Sequence, residues 1–324
     1  MQAHFNEILE KAIKAPSGHN TQPWKFKTDG NVISIFPDYE RALQVVDADN
    51  HALFISLGCA LENIIIAAEH FNYETVIKMD LKNGNREQIT ITLTPSSFKS
   101  NDHLFGNIDI RQSTRNEYNS LLIPQADIEK LQVASLQEDV NCMIFTDNKK
   151  IVPIAELVKE AAAMQFKNKA FMNELTHWVR FNKKAGKQTG DGLYGGAIGK
   201  PSVPKWLGKF FMNITASPEG EAKKQADLIF SSYALILFIA KRNDKQAWVN
   251  VGRSFERVAL TATSVNINHA HENMPCEEIT VRKKLIERLN LINDEQPLLL
   301  IRIGYSKKMP YSFRRPIEDV LINN

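Results

Sequence analysis

The chain has 324 residues, of which 43% are hydrophobic and 24% charged, and its 40 Lys and Arg residues stand against 37 Asp and Glu residues. This composition is typical of globular proteins, and the length allows one large or two modest domains. We expect the formal net charge of +3 to be spread along the chain, which favours neither a nucleic-acid partner nor an anionic membrane.

Neither a membrane span nor a secretion signal is predicted. The longest apolar runs, 64–68 and 233–240, are far shorter than the roughly 20 residues that cross a bilayer. Acidic residues interrupt the N-terminal segment where a signal peptide needs a continuous apolar stretch. We therefore expect a cytoplasmic protein. The three cysteines are far apart, which indicates buried free thiols and not a disulfide framework or a zinc site.

The first half of the chain, residues 1–105, shows alternating helical and strand periodicities. In chain order they predict a helix over 4–14, a hairpin over 24–36, a central core helix over 52–71, and strands over 73–79 and 88–93. The hairpin carries an Asp29-Gly30 pair between alternating apolar residues, which is a strong local turn signal. A polar stretch follows, and we place a boundary near residue 105.

The second half, residues 106–324, is longer and repeats this order near its end. The predicted elements are a helix over 125–136, a strand over 141–146, helices over 151–171 and 174–182, a Gly-rich irregular segment over 183–205, a strand over 233–240, a helix over 246–266, a short helix over 281–289 and a strand over 298–303. The helical stretches 55–74 and 249–268 share a Gly, a Glu four residues later and an aliphatic stripe. We predict an α+β fold with an internal duplication about a pseudo-two-fold axis.

The first segment that carries chemistry is APSGHNTQPW, residues 15–24. It can be explained as a helix end and a turn, but its small and amide-bearing residues also suit a flat ligand with polar edges. The segment resembles the Pro-Ser-Ser-x-Asn-x-Gln-Pro-Trp pattern of the FMN-dependent nitroreductase family, with one departure at Gly18. The resemblance implies that Pro16, Ser17, Gly18 and Asn20 bind the flavin.

The second segment is RQSTR, in which Arg111, Ser113 and Arg115 alternate. Alternate residues of an extended chain face one side, so these three side chains can converge on one anionic group. An isolated motif of this kind is more often a solvated basic turn. It is similar, however, to the family's Arg-x-Ser-x-basic sequence. This implies that Arg111 and Ser113 hold the FMN phosphate and that Arg115 lies near N1 and O2 of the ring.

The third segment, residues 300–316, is a predicted strand followed by a basic loop, and it can be explained as only that. It resembles the closing strand of the family and the basic residue that completes the phosphate site. Matching the Pro residues favours Arg314 over Arg315 for that role.

The resemblance covers the whole chain and is to the fused, single-chain, Acg-like branch of the superfamily. Each motif occurs once, which implies one FMN site between the halves and allows a monomer. The insertion over 183–214 contains seven Gly and is a candidate lid over the flavin, the alternative being a surface loop without a role.

The implied function is an FMN-dependent oxidoreductase that uses NAD(P)H to reduce nitroaromatic, quinone or similar electron-poor acceptors by ping-pong hydride transfer. The flavin carries this chemistry, so no catalytic side chain and no metal are expected. The resemblance also suggests, less closely, that backbone at 275–278 faces N5 and that Gln225 faces the pyrimidine edge. Two alternatives stay open: a protein that sequesters FMN under a lid that blocks turnover, and a flavin-free structural pseudo-dimer.

Two other patterns carry little weight. Residues 190–195 satisfy Gly-x-Gly-x-x-Gly, but neither the strand before it nor the helix after it that a dinucleotide site requires is predicted. His269 and His271 with Glu272 lack a further ligand at a defined spacing, and we expect them to be surface or capping residues at a helix end.

Overall fold

The computed structural model describes residues 4–82, 87–97, 103–215 and 217–322. The elements of the first half are α1 (Phe5–Ala12), β1 (Trp24–Asp29), β2 (Val32–Pro37), α2 (His51–His70), β3 (Tyr73–Asp80), β4 (Gln88–Pro95) and α3 (Phe105–Ile110). Each element predicted there is present within a few residues of its expected bounds. The hairpin turn contains Gly30, whose φ of +58° is a conformation that glycine adopts without strain.

The second half contains the remaining elements. They are α4 (Gln125–Ala134), β5 (Val140–Phe145), α5 (Asn148–Lys167), α6 (Lys169–Trp178), β6 (Val179–Arg180), α7 (Lys183–Thr189), β7 (Leu193–Tyr194), α8 (Lys205–Thr215), α9 (Pro218–Phe230), β8 (Ala234–Ala240), α10 (Lys245–Ser264), β9 (Asn268–His271), α11 (Met274–Glu277), α12 (Ile279–Leu289) and β10 (Gln296–Gly304). Seven of them, β6, α7, β7, α8, α9, β9 and α11, are not among the predicted elements.

Two sequence predictions are wrong in this half. The expected helix over 151–171 is interrupted at Asn168, whose side chain accepts hydrogen bonds from the backbone N–H groups of Ala170 and Phe171 and so begins α6. The segment 183–205, expected to be irregular, contains α7, β7 and a turn of 3₁₀ helix at Gly195–Ile198. Glycine there permits tight packing instead of disorder.

The two halves have the same sheet topology. One sheet has the strand order β1-β2-β4-β3 and the other has the order β5-β8-β10-β9, and all pairs within both sheets are antiparallel. In each half a 20-residue helix, α2 or α10, follows the second strand and precedes the edge strand. The fold is therefore mixed α and β with matching halves, while duplication as its origin stays a prediction.

The two long helices cross at a pair of glycines. A Cβ atom built on Gly58 would lie 2.0 Å from the carbonyl oxygen of Val249, and one built on Gly252 would lie 1.9 Å from the carbonyl oxygen of Ile55. The contacts are reciprocal, because the alignment of 55–74 with 249–268 pairs Gly58 with Gly252 and Ile55 with Val249 and so relates one contact to the other. This reciprocity is what a pseudo-two-fold axis near the crossing predicts.

The helix α2 is long and apolar enough to cross a bilayer, and it is the single such helix in the described part of the chain. Within the protein, however, 94% of its apolar window is buried. It packs against α10, α1 and the first sheet. Its length and composition are thus explained by its central place in the core.

Candidate active site between the halves

A cavity of about 730 Å³ lies between the two halves. This volume is within the range of small-molecule sites in proteins. The cavity wall includes all eight residues selected from the sequence: Pro16, Ser17, Gly18, Asn20, Arg111, Ser113, Arg115 and Arg314. Both halves of the chain are therefore needed to form it.

The segment Pro16–Asn20 is held in a tight turn after α1. The Ser17 Oγ atom accepts a hydrogen bond of 2.9 Å from the backbone N–H of Gln22. The side-chain amide of Asn20 donates to two backbone carbonyls, those of Gly192 and Phe313, at 3.1 and 3.0 Å. Asn20 thereby fastens this turn to the insertion and to the C-terminal segment.

Gly18 is the position at which the segment departs from the family pattern. A Cβ atom built there would lie 3.0 Å from Leu43 Cδ1, which is tighter than ordinary van der Waals contact. The leucine therefore leaves little room for a serine at this position.

The Arg111–Arg115 segment is extended, as expected, and lies beside β9. The backbone N–H of Thr114 donates to the carbonyl of His269 at 2.8 Å, and Ser113 forms a parallel bridge with the same residue. Thr114 is buried on the far side, and Arg111, Ser113 and Arg115 line the cavity.

Two arginines meet at one end of the cavity. Arg111 and Arg314 both donate through Nη2 to the carbonyl of Lys14, at 2.7 and 3.1 Å. Arg111 Nε also lies 3.2 Å from the buried Glu256 carboxylate. Arg314 has no ion-pair partner among the described residues, and its Nε atom is buried without a hydrogen bond. Burial, with the positive charge of Arg111, lowers the pKa of Arg314 to about 9.

The neighbouring Arg315 is used differently. Its backbone N–H donates to Gln22 Oε1 at 2.9 Å, and its guanidinium donates to the carbonyl of Asp319 at 2.6 Å. These bonds hold the C-terminal segment against the first half. Arg315 also lines the cavity, but its guanidinium lies 4.0 Å from the Asp38 carboxylate, whereas Arg314 has no ion pair among the described residues. The choice of Arg314 for a phosphate stays a prediction.

A third arginine forms a separate positive centre. Arg115 donates through Nη1 to the carbonyl of Ala197 at 3.4 Å, and its backbone N–H donates to Met309 Sδ at 3.2 Å. No carboxylate forms an ion pair with it in the described parts of the chain. Burial lowers the pKa of Arg115. The same cation and burial hold the pKa of His19 at about 4, so this imidazole is neutral at pH 7.

The inner part of the insertion forms a wall of the cavity. Leu193, Ala197 and Ile198 line it. Gln22 Nε2 donates to the carbonyl of Gly190 at 2.9 Å, and the backbone N–H of Gly192 donates to the carbonyl of Asn20 at 3.1 Å. These buried bonds fix 190–198 to the first half. A movable lid, if present, is therefore confined to the later part of the insertion.

The chain is similar over nearly its full length to two curated relatives. The chain is 22% identical, over 99% of its length and 93% of the relative's, to a Mycobacterium tuberculosis protein named as an NAD(P)H nitroreductase, Rv3131. It is 21% identical, over 98% of its length and 94% of the relative's, to the NAD(P)H nitroreductase acg of the same species. This similarity over nearly the whole chain supports the nitroreductase superfamily, and within it an Acg-like branch.

The other comparisons add less. No family model matches the chain. Among solved structures, a nitroreductase with bound FMN from Desulfitobacterium hafniense is 10% identical, covering 68% of this chain and 97% of that chain with a TM-score of 0.42. At this TM-score we draw no conclusion from the structural likeness, and the assignment rests on the two sequence relatives.

The histidine pair was placed wrongly by sequence reasoning. His269 and His271 lie on β9 and are not at a helix end, and His269 is almost fully buried. His271 lines the cavity. The adjacent Glu272 accepts from Arg302 Nε at 2.7 Å, which accounts for its burial without a metal. The strand β9 could have been predicted from the repeated order of elements, because in the first half the strand β3 follows α2 at nearly the same spacing.

Residues that the resemblance places near the flavin only loosely, Gln225 and the segment around 275–278, also contribute to the cavity wall. Gln225 is on its wall, as are Met274 and Glu277 of α11. Glu277 Oε2 accepts from Gln165 Nε2 at 2.8 Å, and burial raises the pKa of this carboxyl. The positions agree with the sequence reasoning, while the roles toward a flavin stay predictions.

One group of side chains could by composition hold a metal ion. It consists of Asp47, Asp49 and His51 at the start of α2. Asp47 accepts from the first backbone N–H groups of that helix, and Arg282 Nη1 lies 3.1 Å from Asp49 Oδ2. Helix capping and an arginine therefore already use these carboxylates.

We expect the cavity histidines to make the FMN-free protein sensitive to acid. Burial and the charges of Arg115 and Arg111 hold the pKa of His271 at about 3. Below about pH 6.5 this imidazole is protonated in the unfolded state but stays neutral in the folded state. The free energy of unfolding therefore decreases as the pH falls from about 6.5 toward 3. The loss is at most about 1.4 kcal/mol per pH unit for each such histidine.

Urea unfolding measured between pH 7 and 4 checks this expectation. The variant His271→Gln should show a shallower loss of unfolding free energy with falling pH than the wild type. Equal slopes in the wild type and His271→Gln would contradict it.

Proposed function

We propose that the protein binds one FMN and is an NAD(P)H-dependent oxidoreductase acting on nitroaromatic, quinone or similar electron-poor acceptors. One observation carries the proposal. Arg115 and Arg314 are half-buried cations without carboxylate ion-pair partners in the described part of the chain, and both line the cavity between the halves. Because buried unpaired charge is costly, such a cavity is suited to an anionic ligand. The names of the two relatives support the NAD(P)H-dependent reaction.

The residues present fit FMN at two places. Arg111, Arg314 and Ser113 would hold the phosphate, because the two guanidinium groups already converge on the Lys14 carbonyl. Arg115 would face the pyrimidine edge of the ring, and Pro16–Asn20 would lie along the ring. When bound, FMN supplies the acceptance and donation of hydride.

The chain itself contributes binding and charge. Arg115 would stabilise negative charge on the reduced ring, because its burial strengthens electrostatic interactions. The apolar side chains of Leu43, Phe166 and Phe171 form another part of the wall and would exclude water from an acceptor bound there.

We predict a stoichiometry of one FMN per chain, because each half supplies only part of the site. Titration of the FMN-free protein with FMN, followed by flavin fluorescence, measures it. An end point at two equivalents would contradict the single-site arrangement.

Arg115→Leu should lower the reduction potential of bound flavin more than it lowers FMN affinity. Loss of one charge-assisted contact costs about 1.5–3 kcal/mol, which is roughly 30–65 mV for a two-electron couple. Redox titration of the wild type and the variant gives the difference, and Arg253→Leu, which removes an arginine of α10 that does not line the cavity, is the control. Equal potentials would place Arg115 away from the ring.

Steady-state assays test the function directly. The FMN-loaded protein should oxidise NADH or NADPH in the presence of a quinone or a nitroaromatic acceptor. Retention of FMN with no turnover under any of these conditions would contradict the proposal and favour the FMN-sequestering alternative.

A further inference from the structure

Positive charge is concentrated in the insertion. Residues 183–214 contain six Lys and a single Asp, whereas the whole chain has a net charge of only +3. The expectation that charge is spread along the chain is therefore wrong. All six Lys are exposed, and none forms an ion pair among the described residues. The one acidic residue, Asp191, is buried and paired with Arg41 and Arg180, so it does not offset these lysines at the surface.

The helix α8 of this insertion exposes an apolar stripe. Trp206, Phe210 and Ile214 follow one another at intervals of four residues and are 71%, 56% and 64% exposed. The opposite side of the helix is anchored, because Gly208 packs on the ring of Phe181 so closely that a Cβ atom would lie 2.1 Å from it. The stripe therefore faces away from the protein.

Lysines border this stripe on the same helix. Lys205 and Lys209 are exposed, and α8 contains no acidic residue. A helix with large apolar side chains on one side and basic residues beside them is typical of segments that lie in the interface of a membrane. Such helices gain from apolar burial and from attraction to anionic lipids at once.

We propose that α8 docks the protein on an anionic membrane surface, with Trp206, Phe210 and Ile214 in the headgroup region and the insertion lysines against lipid phosphates. Charge complementarity favours an anionic membrane over a second copy of the chain as the partner of α8. A symmetric dimer through α8 would bring the lysines of both copies together. The proposal revises the expectation that no membrane is a partner, and it is independent of the flavin chemistry.

The fluorescence of Trp206 can report this docking. Trp206 is exposed, whereas the other three tryptophans, Trp24, Trp178 and Trp248, are each at most 8% exposed. Insertion of α8 into lipid should shift the fluorescence of Trp206 to the blue and leave that of the others unchanged. The variant Trp206→Phe should bind and show no shift.

The test uses the full chain loaded with FMN and vesicles of phosphatidylcholine, with or without phosphatidylglycerol. We expect sedimentation with the anionic vesicles only, weakened by added salt. Trp206→Gln with Phe210→Gln should reduce binding at least about tenfold. Lys205→Gln with Lys209→Gln should reduce it about fivefold per lysine.

A matched control shows whether reduced binding comes from losing the stripe on α8 or from losing exposed apolar side chains in general. Val133→Gln with Leu136→Gln removes two apolar side chains that are 67% and 74% exposed elsewhere on the second half. It should bind as the wild type, and an unchanged far-ultraviolet circular dichroism spectrum should show that every variant is folded. Three results would each overturn the proposal: no binding to anionic vesicles, equal binding to neutral vesicles, or a dimer that the Trp206/Phe210 variant abolishes.

Discussion

Arg314→Ala should weaken FMN binding by roughly 10–150-fold while leaving the stability of the FMN-free protein unchanged or higher. Loss of a charge-assisted phosphate contact typically costs about 1.5–3 kcal/mol. No ion pair is lost with Arg314 among the described residues, and its buried charge is a cost when no anion is bound. Calorimetric or fluorescence titration with FMN, combined with urea unfolding, separates the two effects.

Arg111→Ala should behave differently. It should weaken FMN binding to a similar extent and also lower the unfolding free energy by about 1–3 kcal/mol, because it leaves the buried Glu256 without its partner. Arg253→Ala is the matched control, since its partner Glu62 keeps Arg257 and neither arginine lines the cavity. Unchanged FMN affinity in both Arg111→Ala and Arg314→Ala would reduce these residues to a structural role.

The second large effect concerns the crossing of α2 and α10. Gly252→Ala places a methyl group where the Ile55 carbonyl oxygen is only 1.9 Å away, so the two helices must separate. Overpacking of a core typically costs about 1–3 kcal/mol, and we expect a value at the upper end because the obstacle is rigid backbone. Urea unfolding at pH 7 measures it.

Gly106→Ala is the matched control for this change. Gly106 also lies in a helix, α3, but a Cβ atom built there meets nothing within 4 Å. We expect this variant to be neutral or slightly stabilising, because alanine restricts the unfolded chain. A Gly252→Ala protein as stable as the wild type would contradict the close crossing.

The sequence predicted the first half well, because its elements are long and strongly periodic. The alignment of 55–74 with 249–268 also paired the residues that meet at the helix crossing. The short strand β9 was missed, since four residues hold too little alternation to show a period. The helices α8 and α9 were missed because Gly, Pro and Lys suggested a loop, although tertiary packing on Phe181 supports α8.

The candidate site was predicted from a resemblance and not from spacing. Nothing in the letters alone brings residues 16–20, 111–115 and 314 together, because they are separated by most of the chain. Three features of the site depend on the fold and could not be predicted from the sequence. They are the Lys14 carbonyl that accepts from two arginines, the burial of Glu256, and the cavity wall formed by 190–198. The six lysines of the insertion are visible in the sequence, but the net charge of the whole chain does not reveal that they are concentrated there.

Anaerobic mixing of the FMN-loaded protein with NADH or NADPH tests the central claim most directly, because it isolates reduction of the flavin from the choice of acceptor. An FMN-dependent oxidoreductase should lose its yellow flavin absorbance on mixing and recover it when an acceptor is added. A flavin that stays bound and yellow with both nicotinamides would contradict the claim.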